Sequence, residues 1–189
     1  MSGLMGRKKL AVVAGAVILA LGLLGGWRWW PFGDDEVVPS CSDLAAALPD
    51  VVEGSWTLTR TEPKREADRS RVRCDLDFTS ADQSYQGRAV LSVIESNDEA
   101  FLRSTATTGP CDGDQVPNPS AARYEVARSC STKINDKVYA GVFLASDKRY
   151  AHILADFSNA GSAVEQLVTY ANTSAQRITD RAMTLKATD

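Results

Sequence analysis

The longest uninterrupted apolar stretch of this chain lies near its start. Residues 10–26 are uncharged and mostly aliphatic. A helix needs about 20 apolar residues to cross a bilayer, and the stretch reaches that length when it continues to residue 30. Arg7, Lys8 and Lys9 precede it, and acidic residues occupy positions 34–36. Because cytoplasmic flanks are enriched in Lys and Arg, the pattern predicts a transmembrane helix over residues 10–30, with residues 1–9 in the cytoplasm.

Two other roles for this segment remain open. A cleavable secretory signal also combines a basic start with an apolar core, and the small residues at 20–22 suit a signal peptidase. Residues 38–41 faintly resemble a lipoprotein processing site that ends at Cys41, but the acidic run separates them from the apolar stretch. We favour an uncleaved signal anchor. Residues 31–40 are then a linker, and residues 41–189 form an extracytoplasmic α/β domain.

Beyond the linker, alternation of apolar and polar positions predicts β-strands. The clearest case is the segment 71–78, in which apolar and charged side chains alternate. Its four apolar residues are Val72, Cys74, Leu76 and Phe78. Successive side chains of a strand point to opposite faces of the sheet, so this strand has one buried and one polar face. The other predicted strands cover residues 54–61, 87–95, 123–131, 138–145 and 149–157.

Three further segments have helical patterns. Residues 42–48 predict a short helix that ends before Pro49. Ser96 and Glu99 have the spacing of a capping box, which predicts a helix of about ten residues up to Gly109. A second box at 162–165 precedes the longest helix, whose apolar residues recur at helical spacing: Val164, Leu167, Val168, Ala171, Ala175, Ile178, Ala182 and Leu185.

The order of these elements predicts the fold class. Each half of the domain contains three strands followed by a helix, which suggests an internal repeat. We therefore expect an α+β protein in which an N-terminal transmembrane helix precedes a mainly antiparallel six-stranded sheet with packed helices.

The charge of the external part argues against nucleic-acid binding. Four of the 21 basic residues lie in the first 32 positions, which contain no acid, so 17 basic side chains remain against 24 acidic ones. The external part therefore has a net charge near −7. Nucleic-acid-binding domains have a basic surface instead, and we expect no nucleic-acid partner.

The four cysteines all lie on the predicted external side. An even number of cysteines in an oxidising compartment indicates disulfides. Three pairings are possible, and we favour Cys41–Cys74 with Cys111–Cys130, because each ties a loop to a neighbouring strand. Metal binding is the alternative, but the chain has no CxxC pair and its only histidine, His152, is far from every cysteine in sequence. We expect no metal and no cofactor.

The start of the external domain carries a resemblance. Residues 41–47 read Cys-Ser-Asp-Leu-Ala-Ala-Ala, and Cys74 follows on a strand about thirty residues later. In this the chain resembles actinobacterial envelope proteins, many of them lipoproteins, that carry a domain of unknown function. The fold that the resemblance implies is an α/β sandwich similar to PsbP/Mog-like domains. It implies no catalytic residues, and this chain differs from many members by its helical anchor.

Few residues suggest chemistry. His152 is expected on the less apolar face of the last strand, two positions along that face from Asp156, and a buried strand histidine is the favoured interpretation. Asp75 with Asp77, and Asp112 with Asp114, have the spacing of Ca²⁺ ligands, but the further oxygen ligands of a calcium loop are missing. We interpret these carboxylates as solvated.

A basic hairpin connection is the other candidate site. Arg65, Arg69 and Arg71 lie where the first strand turns into the second, and they suggest contact with an anionic lipid or wall polymer. Intervening acids favour a solvated turn instead. Neutralising these three residues should weaken envelope association of a chain that lacks the anchor.

Taken together, these patterns favour a non-enzymatic membrane protein with an external domain that binds an envelope protein partner. A lipid- or small-molecule-binding module is the alternative, with an apolar groove between the sheet and the last helix. A large internal cavity would favour the ligand, whereas a filled core with an exposed apolar patch would favour the partner.

Overall fold

The computed structural model describes residues 38–159 and 164–187. The elements, in chain order, are α1 (Cys41–Ala47), β1 (Gly54–Arg65), β2 (Arg69–Ser80), β3 (Tyr85–Ser96), α2 (Glu99–Thr108), β4 (Asp114–Gln115), a 3₁₀ turn (Ala121–Arg123), β5 (Val126–Ile134), β6 (Lys137–Ala145), β7 (Arg149–Asn159) and α3 (Val164–Thr184). The predicted transmembrane helix at 10–30 lies outside the described residues. No helix within them is long and apolar enough to span a bilayer.

The strands form one sheet in the order β1-β2-β3-β7-β6-β5-β4, and all neighbours are antiparallel. The fold is therefore α+β as predicted, but the sheet has seven strands instead of six. The additional strand is the two-residue β4, which lies outside all the predicted strands. The nearby Cys111–Cys130 disulfide holds this segment beside β5, where Asp114 and Gln115 pair with Ser131 and Cys130.

The fourth predicted strand was placed too early in the sequence. Residues 121–123 form the 3₁₀ turn, and β5 begins only at Val126. The reason is a contact with α3: the Tyr124 hydroxyl donates to Asp180 Oδ1 over 2.7 Å, and Arg123 Nη2 donates to the same oxygen over 2.5 Å. These bonds hold the segment against the helix, so the chain joins the sheet after them.

The main core lies on one face of the sheet, beneath α1 and α3. The apolar face of β2 is buried as its alternation predicts, with Cys74 and Leu76 at 1% exposure or less. Five residues of the predicted α3 stripe are also buried: Leu167, Ala171, Ala175, Ile178 and Ala182. Val164 is an exception, because it remains 46% exposed at the first position of the helix. Buried side chains of the sheet, α1 and α3 pack together in this core.

The opposite face has a smaller core beneath α2. Ile94, Phe143 and Tyr150 meet Leu102 and Ala106 of the helix there. The predicted capping box at 96–99 is wrong, since Asp98 is the N-cap and its carboxylate accepts from the Phe101 N–H over 2.9 Å. Ser96 belongs to β3 instead. Similarly, Ser40 is the N-cap of α1 and forms a capping box with Asp43, so this helix begins at Cys41, one residue earlier than predicted.

The predicted repeat holds for the order of elements only. Three antiparallel strands precede α2, whereas the short β4 and three longer antiparallel strands lie between α2 and α3, and β3 and β7 are neighbours in the sheet. However, α2 and α3 cover opposite faces. A two-fold axis between antiparallel neighbours would preserve the face, so the halves are not structural copies.

Both predicted disulfides are present, and each joins two elements of the fold. Cys41–Cys74 joins α1 to β2 within the main core. Cys111–Cys130 joins the segment after α2 to β5. The described part of the chain has no free cysteine.

Candidate functional site

The helix α2 covers only part of its sheet face, and the rest is open. Strand register shows which side chains lie side by side there, because paired residues of neighbouring strands share a face. Val90 of β3 pairs with Leu154 of β7, Leu154 pairs with Gly141 of β6, and Gly141 pairs with Cys130 of β5. A row of small or apolar residues therefore crosses four strands beside the α2 layer.

Cys130, Gly141 and Leu154 of this row line a concave groove of about 440 Å³, which we call the sheet groove. Three large apolar side chains are exposed around it: Ile134 (53%), Tyr139 (40%) and Leu154 (38%). Gly141 shapes its floor. A Cβ there would lie 3.2 Å from Cys130 Sγ and 3.4 Å from Leu154 Cδ2, so a side chain at this position would crowd the groove.

The charged groups beside the sheet groove largely neutralise each other. Lys137 Nζ donates to Asp156 Oδ1 over 2.9 Å, and this carboxylate raises the pKa of the ammonium group. Arg88 lies 4.0 Å from Asp77 on the same face. The groove is therefore an apolar depression whose rim carries the Lys137–Asp156 pair and the carboxylate of Asp112, and its floor suits contact with an apolar surface.

His152 lies one row above the groove and is not placed for acid–base chemistry. Its ring stacks on Phe143 with centroids 5.7 Å apart and packs against Tyr150 at 5.4 Å. Its Nδ1 is buried and has no hydrogen-bond partner among the described residues. Asp156, the carboxylate on the same face, is paired with Lys137. General acid–base catalysis needs a partner within hydrogen-bond reach, and the described residues offer His152 Nδ1 none.

Burial has a measurable consequence for His152. It lowers the pKa of the imidazole from 6.5 to about 4, and repulsion by Arg73 and Arg71 acts in the same direction. The unfolded chain therefore binds a proton more readily than the folded one. The free energy of unfolding therefore has its full value above pH 6.5, where the imidazole is neutral in both states. It decreases as the pH falls toward 4, by about 3 kcal/mol in total.

We expect His152→Phe to remove this pH dependence, since phenylalanine has no titrating group and can stack on Phe143. Urea unfolding of both proteins at pH 7 and pH 4.5 measures it. The free energy of unfolding of the wild type should fall by about 2–3 kcal/mol more than that of the variant. Equal losses would show that the imidazole is not buried in its neutral form.

The basic hairpin connection does not form a single cationic cluster. Lys64 pairs with Arg71 and Arg65 pairs with Ser70, so Arg65 and Arg71 point to opposite faces. The guanidinium of Arg69 contacts Asp68 and Glu66 at 2.9 and 3.0 Å and stacks over the Phe101 ring. Contact of Arg65, Arg69 and Arg71 with an anionic surface stays a prediction.

The two aspartates of β2 have basic partners. Asp75 lies 3.4 Å from Arg73, and Asp77 is the partner of Arg88. In the residues that the structure describes, no group of three or more His, Cys, Asp or Glu side chains has metal-binding geometry.

Sequence patterns missed the sheet groove. Leu154 was the one available signal, because it interrupts the more polar face that His152 and Asp156 share. Its meaning depends on Val90, Gly141 and Tyr139, and these positions come together only through the strand register.

Comparisons with known proteins do not add to this geometry. No protein-family model, curated protein sequence or solved structure matches the chain.

Proposed function

We propose that this chain is a single-pass membrane-anchored envelope protein whose extracytoplasmic domain binds a protein partner through the sheet groove. The anchor and the resemblance to actinobacterial envelope proteins are sequence predictions that this proposal retains. The observation that carries the proposal is the convergence of three exposed apolar side chains, Ile134, Tyr139 and Leu154, on one groove.

The partner is a polypeptide segment with an apolar ridge. Such a segment, lying next to α2 on the same face, would continue the layer that α2 begins. The Lys137–Asp156 pair supports an apolar occupant, because these two charges neutralise each other at the rim. A stable interface typically buries at least 1,000 Å² in total, so we expect the polar surroundings of the groove to contact the partner as well.

The lipid-binding alternative has less support. A lipid site would need an apolar cavity between the sheet and α3, and that space is filled by residues of the main core. The sheet groove is open to solvent along its length and would leave an acyl chain partly wet. No side chain of the groove is arranged for catalysis, and we propose a non-enzymatic role.

The variant Leu154→Asp tests the proposal. The full-length wild type, extracted in a mild detergent, should migrate in native electrophoresis as a complex larger than the single chain. Loss of a buried anchor at an interface costs about 2 kcal/mol or more, which weakens binding about 30-fold. The variant should therefore migrate as the single chain.

Val164→Asp is the matched control, because Val164 is similarly exposed but lies on α3. It should leave the large complex intact. A complex that survives Leu154→Asp, or one that Val164→Asp dissociates equally, would contradict the proposal. A complex that contains only copies of this chain would contradict a separate partner.

A further inference from the structure

A second concavity lies at the other side of the domain, where the connection between α1 and β1 meets the turn between β2 and β3 and one side of α3. It has a volume of about 470 Å³, within the usual range for small-molecule sites. Carboxylates, hydroxyls and two tyrosine rings line it. We call it the tyrosine cleft, and it is independent of the sheet groove.

An aromatic stack forms one wall of the tyrosine cleft. The rings of Tyr85 and Tyr170 are nearly parallel, with an interplanar angle of 9° and centroids 4.0 Å apart. Tyr170 is held from within by Phe78 and Phe157, at 6.2 and 5.8 Å. Tyr85 is therefore the outermost ring of a column that is anchored in the core. An aromatic face held in place in this way can attract a cation through its quadrupole.

The charge of the tyrosine cleft is negative. Asp50, Glu53 and Asp82 line it, and none of the three has an ion-pair partner in the described part of the chain. Arg177 is the one cationic residue of the lining, and its Nη1 donates to the Val51 carbonyl over 3.4 Å. The lining therefore contains three carboxylates and one guanidinium, and that guanidinium donates to the backbone.

Asp82 is a fixed anion. Its Oδ1 accepts from Ser80 Oγ over 2.7 Å and from the Ser84 N–H over 3.0 Å, and its Oδ2 accepts from Ser84 Oγ over 2.7 Å. These bonds lower the pKa of the carboxyl to about 2. All the donors are neutral, so they hold the carboxylate in position without cancelling its charge.

Tyr170 adds an unsatisfied polar group. Its hydroxyl approaches Ser174 without a hydrogen bond of normal geometry, and the buried oxygen has no other partner among the described residues. Buried polar atoms are nearly always paired, and an orphan is a feature that a bound water or ligand explains.

We propose that the tyrosine cleft binds an organic cation, with an ammonium group placed between the Tyr85 ring and the carboxylates of Glu53 and Asp82. The ammonium group can belong to a free small molecule or to a lysine side chain of a peptide. Both sources use the same recognition chemistry, which is cation–π attraction together with unpaired negative charge.

Isothermal titration of the full-length protein in a maltoside detergent, which contains no ammonium group, tests the proposal. The probes are choline, its neutral isostere 3,3-dimethyl-1-butanol and Nα-acetyllysinamide. At least one of the two cations should bind saturably, with a Kd on the order of 1 mM, and the isostere should not bind. Tighter binding of choline assigns the cleft to small quaternary amines, whereas tighter binding of the lysine derivative assigns it to peptides.

Variants establish the location of binding. Tyr85→Leu and Glu53→Gln should each weaken binding of the cation about 10-fold, whereas Tyr85→Phe should retain it. Tyr139→Leu and Asp136→Asn are the controls, because they remove a tyrosine ring and a carboxylate that lie outside the tyrosine cleft. They should leave cation binding unchanged. Equal binding of the isostere, absence of binding by both cations, or insensitivity to Tyr85→Leu and Glu53→Gln would overturn the proposal. Leu154→Asp should not change cation binding, so this result is separate from that for the sheet groove.

Discussion

Arg149→Met is expected to lower the free energy of unfolding by about 3–5 kcal/mol, because it breaks a buried ion pair. The side chains of Arg149 and Glu95 are only 15% and 6% exposed. They lie opposite each other on β7 and β3, and Arg149 Nε donates to Glu95 Oε1 over 2.7 Å. Without the arginine, the Glu95 carboxylate would remain buried with no cation beside it.

The same guanidinium also closes the end of α3. Its Nη1 donates to the carbonyls of Ala182, Met183 and Leu185 over 3.2, 3.1 and 2.5 Å. The last carbonyls of a helix have no partner within the helix, and Arg149 supplies one from the sheet. The variant therefore also weakens the attachment of α3 to the main core.

Urea unfolding followed by circular dichroism measures this effect. Arg103→Met is the control, because Arg103 also pairs with carboxylates but is 50% exposed. Exposed ion pairs contribute up to about 1 kcal/mol. In the double variant Glu95→Leu/Arg149→Met, most of the stability should return, since no charge is left buried. A loss below about 1 kcal/mol for Arg149→Met would contradict this account of the contact.

Replacing Cys41 and Cys74 together by alanine is expected to destabilise the domain by about 2–5 kcal/mol. The bond closes a loop with a sequence separation of 33, and both cysteines are at most 3% exposed within the main core. Its loss gives the unfolded chain more conformational freedom, and it also leaves a space between α1 and β2.

The corresponding double alanine variant of Cys111 and Cys130 should be affected less. Its sequence separation is 19, which makes the loop-closure contribution smaller by about 0.3–0.5 kcal/mol, and Cys111 is only half-buried. Thermal unfolding of both variants beside the wild type gives the order. A larger loss of stability in the variant that lacks Cys111 and Cys130 would contradict the expectation that the more buried disulfide contributes more.

Local patterns predicted the parts of the fold that depend on local chemistry. The alternation in β2 identified its buried face, because each position in a strand determines the direction of its own side chain. The spacing of Leu167, Ala171 and Ile178 identified the buried side of α3 in the same way. Strand ends were less certain: β1 continues to Arg65, four residues past the predicted end, because β2 offers it a partner along its whole length.

Contacts between distant segments could not be predicted in this way. β4 exists because a disulfide brings a loop to β5. The pair Glu95–Arg149 joins residues 54 positions apart. The sheet groove depends on the register of four strands, and the tyrosine cleft joins Tyr85 to a residue of α3. Sequence alone shows that these residues are tyrosines, acids or glycines, but their proximity is a product of the fold.

Photocrosslinking in intact cells tests the proposed partner contact at the sheet groove most directly. p-Benzoylphenylalanine in place of Tyr139 should give one discrete adduct with a separate protein, and the adduct should disappear when Leu154→Asp is added. The same probe in place of Val164, which is exposed on α3, should give no such adduct. An equal adduct from position 164, an adduct between two copies of this chain, or no adduct from position 139 would contradict a protein partner at the sheet groove.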